Sequence, residues 1–359
     1  TSYNLSTEKK LKKQFKNILN RKEEKDFIYN LKKINKIALI QQKKDLDLVK
    51  ELVLRQKKIM NSNLYYIDKI YWLIEDCKKF GTLPFAGLAR CGFISTEILN
   101  SFVDEKIISN DEKINFLATI KTITSEMGDD LRCQNKKTFI EKYGHLRPGT
   151  YEITSNNYKT NFNLYFGKTK ENYRIKKKSF KFSSKQKAKI ENFIKRINIY
   201  NNFDELINFI KDSIKYREFS KFIFSKSIDL IFENLEKFGK KYGIKKKELS
   251  YLDIQKILSM YYNYSNFKSI LNIKENINQN KKEYNKNLKI NLPDIITDGK
   301  DLFIQKSQKT KINFISNKMI NSKVIEFRKV NLKKKLNSIV CIENADPGFD
   351  FLFSKNIKG

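Results

Sequence analysis

Apolar residues recur along this chain at helical spacing far more often than they alternate. Between residues 8 and 62, Leu and Ile stand among Lys and Glu with no Pro or Gly, the pattern of long helices that bury one apolar stripe. Ile67, Ile70, Tyr71 and Ile74 then fall at i, i+3, i+4 and i+7, one face of a helix that Gly81 and Pro84 should end. Leu88, Cys91, Gly92, Ser95 and Leu99 predict a further helix over about 85–103, with small residues for close packing. Asn110 and Asp111 open another, leading into Ile114, Leu117 and Ile120.

The helical period breaks over 144–157, where Gly, Pro, Thr and Ser predict a loop or a short extended piece. A Lys-rich stretch near 168–187 reads as a linker. Beyond it, Asn202 and Glu205 have the spacing of a capping box with Asn in place of Ser or Thr. Leu206, Ile210 and Ile214 continue that helix, and Ile228, Ile231, Phe232 and Leu235 form a second apolar face. The chain to about residue 290 is thus expected to be mainly α.

The pattern then changes. Leu302 to Ile304, Val324 to Phe327 and Ile339 to Ile342 are short β-branched or aromatic runs between polar turns, as strands would be. Asp346 and Pro347 follow as N-cap and first helical residue of a short helix. A boundary near residue 300 would divide a helical unit, 1–300, from a β/α unit, 301–359. No internal repeat is visible.

A chain of 359 residues with 40% hydrophobic content can bury real cores. A net charge of +33 raises nucleic acid or an anionic membrane as partner. Only nine of the 73 basic residues are Arg, however, and the Lys are spread along the chain beside abundant Asn and Ile. That is biased composition rather than a surface of Arg forks with aromatics in a basic stripe, so neither nucleic acid nor membrane is expected. The cysteines Cys77, Cys91, Cys133 and Cys341 lack the spacing of a zinc site or disulfide framework. No apolar run reaches the roughly 18 residues of a span, and a soluble, cytoplasmic protein is expected. The chain opens on Thr1 and stops at Gly359 just after a half-apolar stretch, so both ends read as cuts within a longer protein.

Against this background the scarce residue types are informative. The four prolines, Pro84, Pro148, Pro293 and Pro347, all lie in segments that interrupt the Lys/Asn monotony. One of these carries the single histidine: YGHLRPGTYEI, from Tyr143 to Ile153, with Tyr158 soon after. It resembles the YGHRGxGExD signature of the central domain of phosphoenolpyruvate-utilising enzymes, such as phosphoenolpyruvate synthase, pyruvate phosphate dikinase and the rifampin phosphotransferases. It differs in having Leu146 between His145 and Arg147, and Thr150 where the Glu would stand, differences that point to a subgroup with another substrate. The segments Tyr216 to Phe222, Asn291 to Thr297 and Ser338 to Ser354 follow the same family in order, so the resemblance touches most of residues 70–359.

The resemblance implies a mainly α fold: a multi-helix acceptor-substrate domain, then the incomplete start of a β/α swivelling phosphohistidine domain. In that family an ATP-grasp domain of the same polypeptide binds ATP and Mg²⁺, and a mobile histidine accepts phosphate and carries it to a second site. That histidine is expected beyond Gly359. The wording of the central segment looks most like the subgroup of L-glutamine kinases of capsular phosphoramidate biosynthesis, which implies L-glutamine as the acceptor.

The residue chemistry suits phosphoryl transfer, which depends on positioning and charge stabilisation. Arg90, Arg147 and Arg217 could bind phosphoryl oxygens or a carboxylate through forked hydrogen bonds. Glu152 could receive an α-ammonium, with Tyr151 beside it, and His145 could act as a base or a hydrogen-bond donor. Each has a structural alternative: a hydrogen-bonding histidine in a Gly/Pro loop, Arg147 tying the loop to a helix, Glu152 as its partner, and helix-to-helix salt bridges for Arg90 and Arg217. Two other readings remain open: the same chemistry on pyruvate or a drug-like hydroxyl compound, and a basic helical nucleic-acid-binding module without catalysis.

Overall fold

A computed structural model describes residues 2–14, 18–167, 179–262, 267–290, 292–293, 295–302, 319–327, 336–342, 347–355 and 357–359. Its frame is three long helical rods. After α1 (Thr7–Gln14), a capping box starts α2 (Arg21–Asn61): Asn20 accepts from the N–H groups of Lys22 and Glu23, and the Glu23 carboxylate accepts the N–H of Asn20. Ser62 ends it, and the chain reverses into α3 (Tyr66–Asp76).

The expected break at Gly81 and Pro84 does not occur. A π-helical turn, Cys77–Thr82, joins α3 to α4 (Leu83–Asp104) without interruption. The N–H of Leu83 reaches back five residues to the Lys78 carbonyl. This wider turn accommodates the proline ring, which a regular α turn would drive into the carbonyl four residues before it.

Four shorter helices flank the rods: α5 (Asn110–Leu117), α6 (Ile123–Cys133), α7 (Lys136–Tyr143) and α8 (Tyr158–Tyr165). They precede α9 (Ser184–Ile197) and the third rod, α10 (Phe203–Tyr242). Asn202 caps α10 as expected, accepting the Glu205 N–H at 2.8 Å. The return bond is displaced by one residue, with Glu205 accepting from the N–H of Asn201 instead. The two apolar faces expected after residue 202 lie on this one uninterrupted helix, which ends at Gly243 in the left-handed conformation. Helices α11 (Lys246–Leu249), α12 (Ile254–Tyr262) and α13 (Phe267–Asn287) complete the α region.

The register of the rods is set by polar side chains inside the contact. Gln42 of α2 donates to Ser213 Oγ of α10 at 2.8 Å, and fourteen residues on Gln56 donates to Ser227 Oγ at 2.7 Å. Equal spacing on both helices means that they run parallel. Ser213, Ser220, Ser227 and Asn234 lie seven residues apart on α10 and are all buried, a heptad seam whose small side chains let the backbones approach. The α3–α4 rod runs antiparallel to both. Gly81 in its π turn lies where a Cβ would stand 3.0 Å from Phe224 Cβ and 3.1 Å from Leu52 Cδ2.

Three apolar clusters follow one another along the rods. Leu99, Phe102, Phe193, Leu206 and Ile210 form one end. Leu52, Leu88, Phe139, Tyr143, Tyr158, Phe224 and Phe351 form the middle. Ile70, Leu73, Leu235, Phe238, Ile257 and Ile273 form the other end.

Late in the chain, β1 (Val324–Glu326) and β2 (Ile339–Cys341) pair in parallel, Ile325 opposite Val340. Both coincide with expected strands. The third, 302–304, is not seen: Leu302 ends a short 3₁₀ turn, Gly299–Leu302, and residues 303–304 lie outside the described residues. A 3₁₀ segment, Pro347–Lys355, follows β2 where a short helix was expected. The chain is thus mainly helical, with a small parallel two-strand sheet late in it.

Candidate functional site

The histidine-bearing segment forms a closed loop between α7 and α8. Two backbone bonds tie its base: the N–H of Tyr158 to the Leu146 carbonyl at 2.8 Å, and the N–H of Lys159 to the Gly144 carbonyl at 3.0 Å. Gly149 turns the chain with φ +70, a conformation that costs glycine nothing, and its carbonyl accepts the N–H of Glu152 at 2.9 Å. Leu146 and Ile153 point into the core and fix the loop on the rods.

His145 is buried with its ring edge-on to Phe222, 4.6 Å between centroids. Its Nε2 lies 3.1 Å from the Phe222 carbonyl oxygen. A carbonyl only accepts, so Nε2 carries the proton and Nδ1 is the free acceptor. Burial, with the nearby positive charges of Lys226 and Arg147, pushes the imidazole pKa down to about 3, against the weaker opposing effect of the Phe222 bond. The ring is therefore neutral at physiological pH.

Arg147 is buried too and spends its guanidinium inward. Nη2 donates to the Asp229 carboxylate, Nη1 donates to the Ser155 carbonyl at 3.0 Å, and the group stands over the Phe232 ring at 5.0 Å. Asn157 donates to the same Asp229 oxygen at 2.9 Å while its own side-chain oxygen caps α8. Asp229 thus gathers both ends of the loop onto α10. Burial pushes its carboxyl above the usual carboxylate range despite the opposing pull of Arg147 and Asn157.

The other candidates stand elsewhere. Tyr151 and Glu152 are exposed on the loop's outer turn, where Glu152 accepts from the N–H and hydroxyl of Thr154. Arg217 is exposed on α10, its stem against Gly92 of α4 and its guanidinium 5.8 Å from the Phe93 ring centroid. Arg90, exposed on α4, lies near buried Asp45 on α2, whose carboxyl burial keeps above its usual range against the opposing effects of the Gln41 hydrogen bond and the Arg90 charge. Arg217 and Asp229 are twelve residues apart on α10, roughly 18 Å along its axis. The structure therefore brings His145 and Arg147 together against α10, leaves Tyr151 and Glu152 at the loop surface, and holds Arg217 and Arg90 apart from the Arg147 latch.

The loop also meets the C-terminal segment. Tyr158 Oη donates to the Gly348 carbonyl at 2.9 Å. Gly348 itself lies so close to the Arg147 carbonyl that a Cβ would overlap it. Phe351 packs 4.9 Å from the Tyr165 ring and 6.4 Å from that of Tyr158. Beside these contacts lies Asp350, its carboxyl pushed up to about 6 by burial and by Glu218, against the lowering effects of a Thr124 hydrogen bond and Lys221.

Sequence reasoning missed Asp229, Asn157 and Asp350. Asp229 occupies a buried position among apolar residues of α10, and a carboxylate at a core position is a signal that a partner is required. Among the described residues no helix is long and apolar enough to cross a membrane, and no three His, Cys, Asp or Glu side chains come together as metal ligands. No known protein family, curated protein or solved structure matches this chain.

Proposed function

We propose that this chain is the acceptor-binding part of an ATP-dependent phosphotransferase of the phosphoenolpyruvate-synthase type, with L-glutamine as acceptor. One observation carries the reading: the Tyr158 hydroxyl bonds to the Gly348 carbonyl across 190 residues of sequence. It joins the loop most like the family's central signature to the segment most like the opening of its carrier domain. An acceptor must sit where a carrier can deliver phosphorus, and the reading assigns it to the neighbourhood of that junction.

Within this reading the motif residues divide their work. Arg147, Asp229 and Asn157 hold the loop rigid. His145 acts by hydrogen bonding rather than as a base, because an imidazole titrating near 3 takes up protons poorly at neutral pH. Glu152, with Tyr151 beside it, is the group this reading assigns to the α-ammonium. Of the candidate arginines, Arg217 and Arg90 are the two that remain exposed. ATP and Mg²⁺ belong to an ATP-grasp domain outside this chain, and the net reaction turns ATP, L-glutamine and water into AMP, glutamine phosphate and phosphate.

The test is ³¹P NMR of the full-length polypeptide with Mg²⁺, ATP and L-glutamine. AMP, orthophosphate and a new phosphorus–nitrogen resonance are expected together. ATP consumption indifferent to glutamine, or ADP as the product, contradicts the proposal.

A further inference from the structure

The 3₁₀ segment Pro347–Lys355 is held to the helical body by two apolar anchors. Phe351 is 1% exposed and Leu352 4%, both in the middle cluster. The Tyr158 bond to Gly348 and a 3.0 Å bond from the Leu336 N–H to the Lys355 carbonyl fix its ends. Apolar burial of this kind favours docking.

Its two charged side chains work the other way. Asp350 is drawn into the junction beside Glu218, with Lys221 on the same helix, Thr124 of α6 and the Tyr158 phenol as the other groups that bear on it. Lys355 is 6% exposed, its Nζ near Gly167 at the end of α8. Among the described residues no carboxylate lies within salt-bridge reach of it, and only burial acts on its titration. A buried cation without a counter-charge, and a carboxylate set beside another, are both costly arrangements that undocking would relieve.

We propose that Pro347–Lys355 is a releasable clasp, closed on the Tyr143–Tyr158 loop by Phe351 and Leu352 and kept marginal by the half-buried carboxylate of Asp350 and the buried ammonium of Lys355. The inference rests on the packing of the segment and stands whichever acceptor the loop serves.

The signs follow from linkage. Docking raises the Asp350 pKa from 3.8 to about 6, so this contribution to closure is fully present below about pH 4 and is lost as pH rises through 6. Docking lowers the Lys355 pKa from its ordinary 10.5, so closure regains strength only as that ammonium loses its proton in the alkaline range. The clasp is weakest between, around neutrality.

Amide hydrogen exchange of residues 348–355, corrected for intrinsic rates, reads the opening directly. Protection in the wild-type chain should fall between pH 4.5 and 7. At pH 7, Asp350→Asn should raise protection by up to about a hundredfold, the equivalent of its shift from 3.8 to about 6, Lys355→Met should raise it too, and Phe351→Ala should lower it. Wild-type protection that rises over that pH interval, or either charge-removing variant failing to exceed wild type, overturns the proposal.

Discussion

Gln56 and Ser227 are joined side chain to side chain at 2.7 Å inside the contact between the first and third rods, and the same Gln amide reaches the Ile223 carbonyl at 3.0 Å. Gln42 makes the matching pair of contacts with Ser213 and Phe209. Buried amides of this kind have few other partners, so they set the register of two parallel helices. Replacing Gln56 with Leu should cost about 1–3 kcal/mol through the lost bonds to the Ser227 hydroxyl and the Ile223 carbonyl. Urea unfolding would measure it, and pairing Gln56→Leu with Ser227→Ala should recover part of the loss.

The Arg147–Asp229 pair is buried on both sides, and the Asp229 carboxyl titrates high despite its partner. Desolvation therefore outweighs the attraction, and the pair positions the loop more than it stabilises the fold. Arg147→Ala and Asp229→Ala should each cost about 3–5 kcal/mol by leaving a lone buried charge, whereas Arg147→Met with Asp229→Leu should be much milder. Equal losses in the single and double variants, measured by denaturant titration, would contradict this.

Acid should act on His145 in the opposite sense to Asp350. The folded imidazole titrates near 3 and the unfolded one near 6.5, so the unfolded chain takes up the proton first. This contribution to stability is present above pH 6.5 and is lost as pH falls toward 3, by an upper bound of roughly 4–5 kcal/mol. A His145→Gln variant can still donate to the Phe222 carbonyl but does not titrate. Its stability relative to wild type should rise as pH drops from 6.5 to 4, as read by thermal melts at each pH.

The π turn leaves room for little at residue 81. Gly81→Ala places a methyl 3.0 Å from Phe224 Cβ and 3.1 Å from Leu52 Cδ2, and should destabilise by about 1–3 kcal/mol through overpacking. Calorimetric unfolding of this variant beside Gly128→Ala, where a methyl meets nothing within 4 Å, separates crowding from any general effect of losing glycine.

Much of the helical frame was legible because its cause is local. The apolar period at Ile67, Ile70 and Ile74, the Asn202 cap and the strands near 325 and 340 all follow from neighbours in sequence. The continuity through Gly81 and Pro84 was not legible, since both residues read as breakers and the π turn that absorbs them is stabilised by packing from α2 and α10. The same limit applies to the site. His145 and Arg147 stood out in the loop, but their burial depends on Phe222 and Asp229, 77 and 82 residues away. The expected cap, Asp346, lies outside the described residues, and Asp350 did not stand out in the sequence because the groups that act on it, Glu218 and Thr124, come from distant elements.

Whether the loop serves an amino-acid acceptor is most directly answered by isothermal titration of this chain with L-glutamine. Saturable heat is predicted, strongly reduced in Glu152→Gln and unchanged in Lys282→Ala, an exposed position on α13 away from the loop. No saturable heat with glutamine, together with single-stranded DNA binding that weakens steeply as salt rises, would contradict the account and favour a basic binding module.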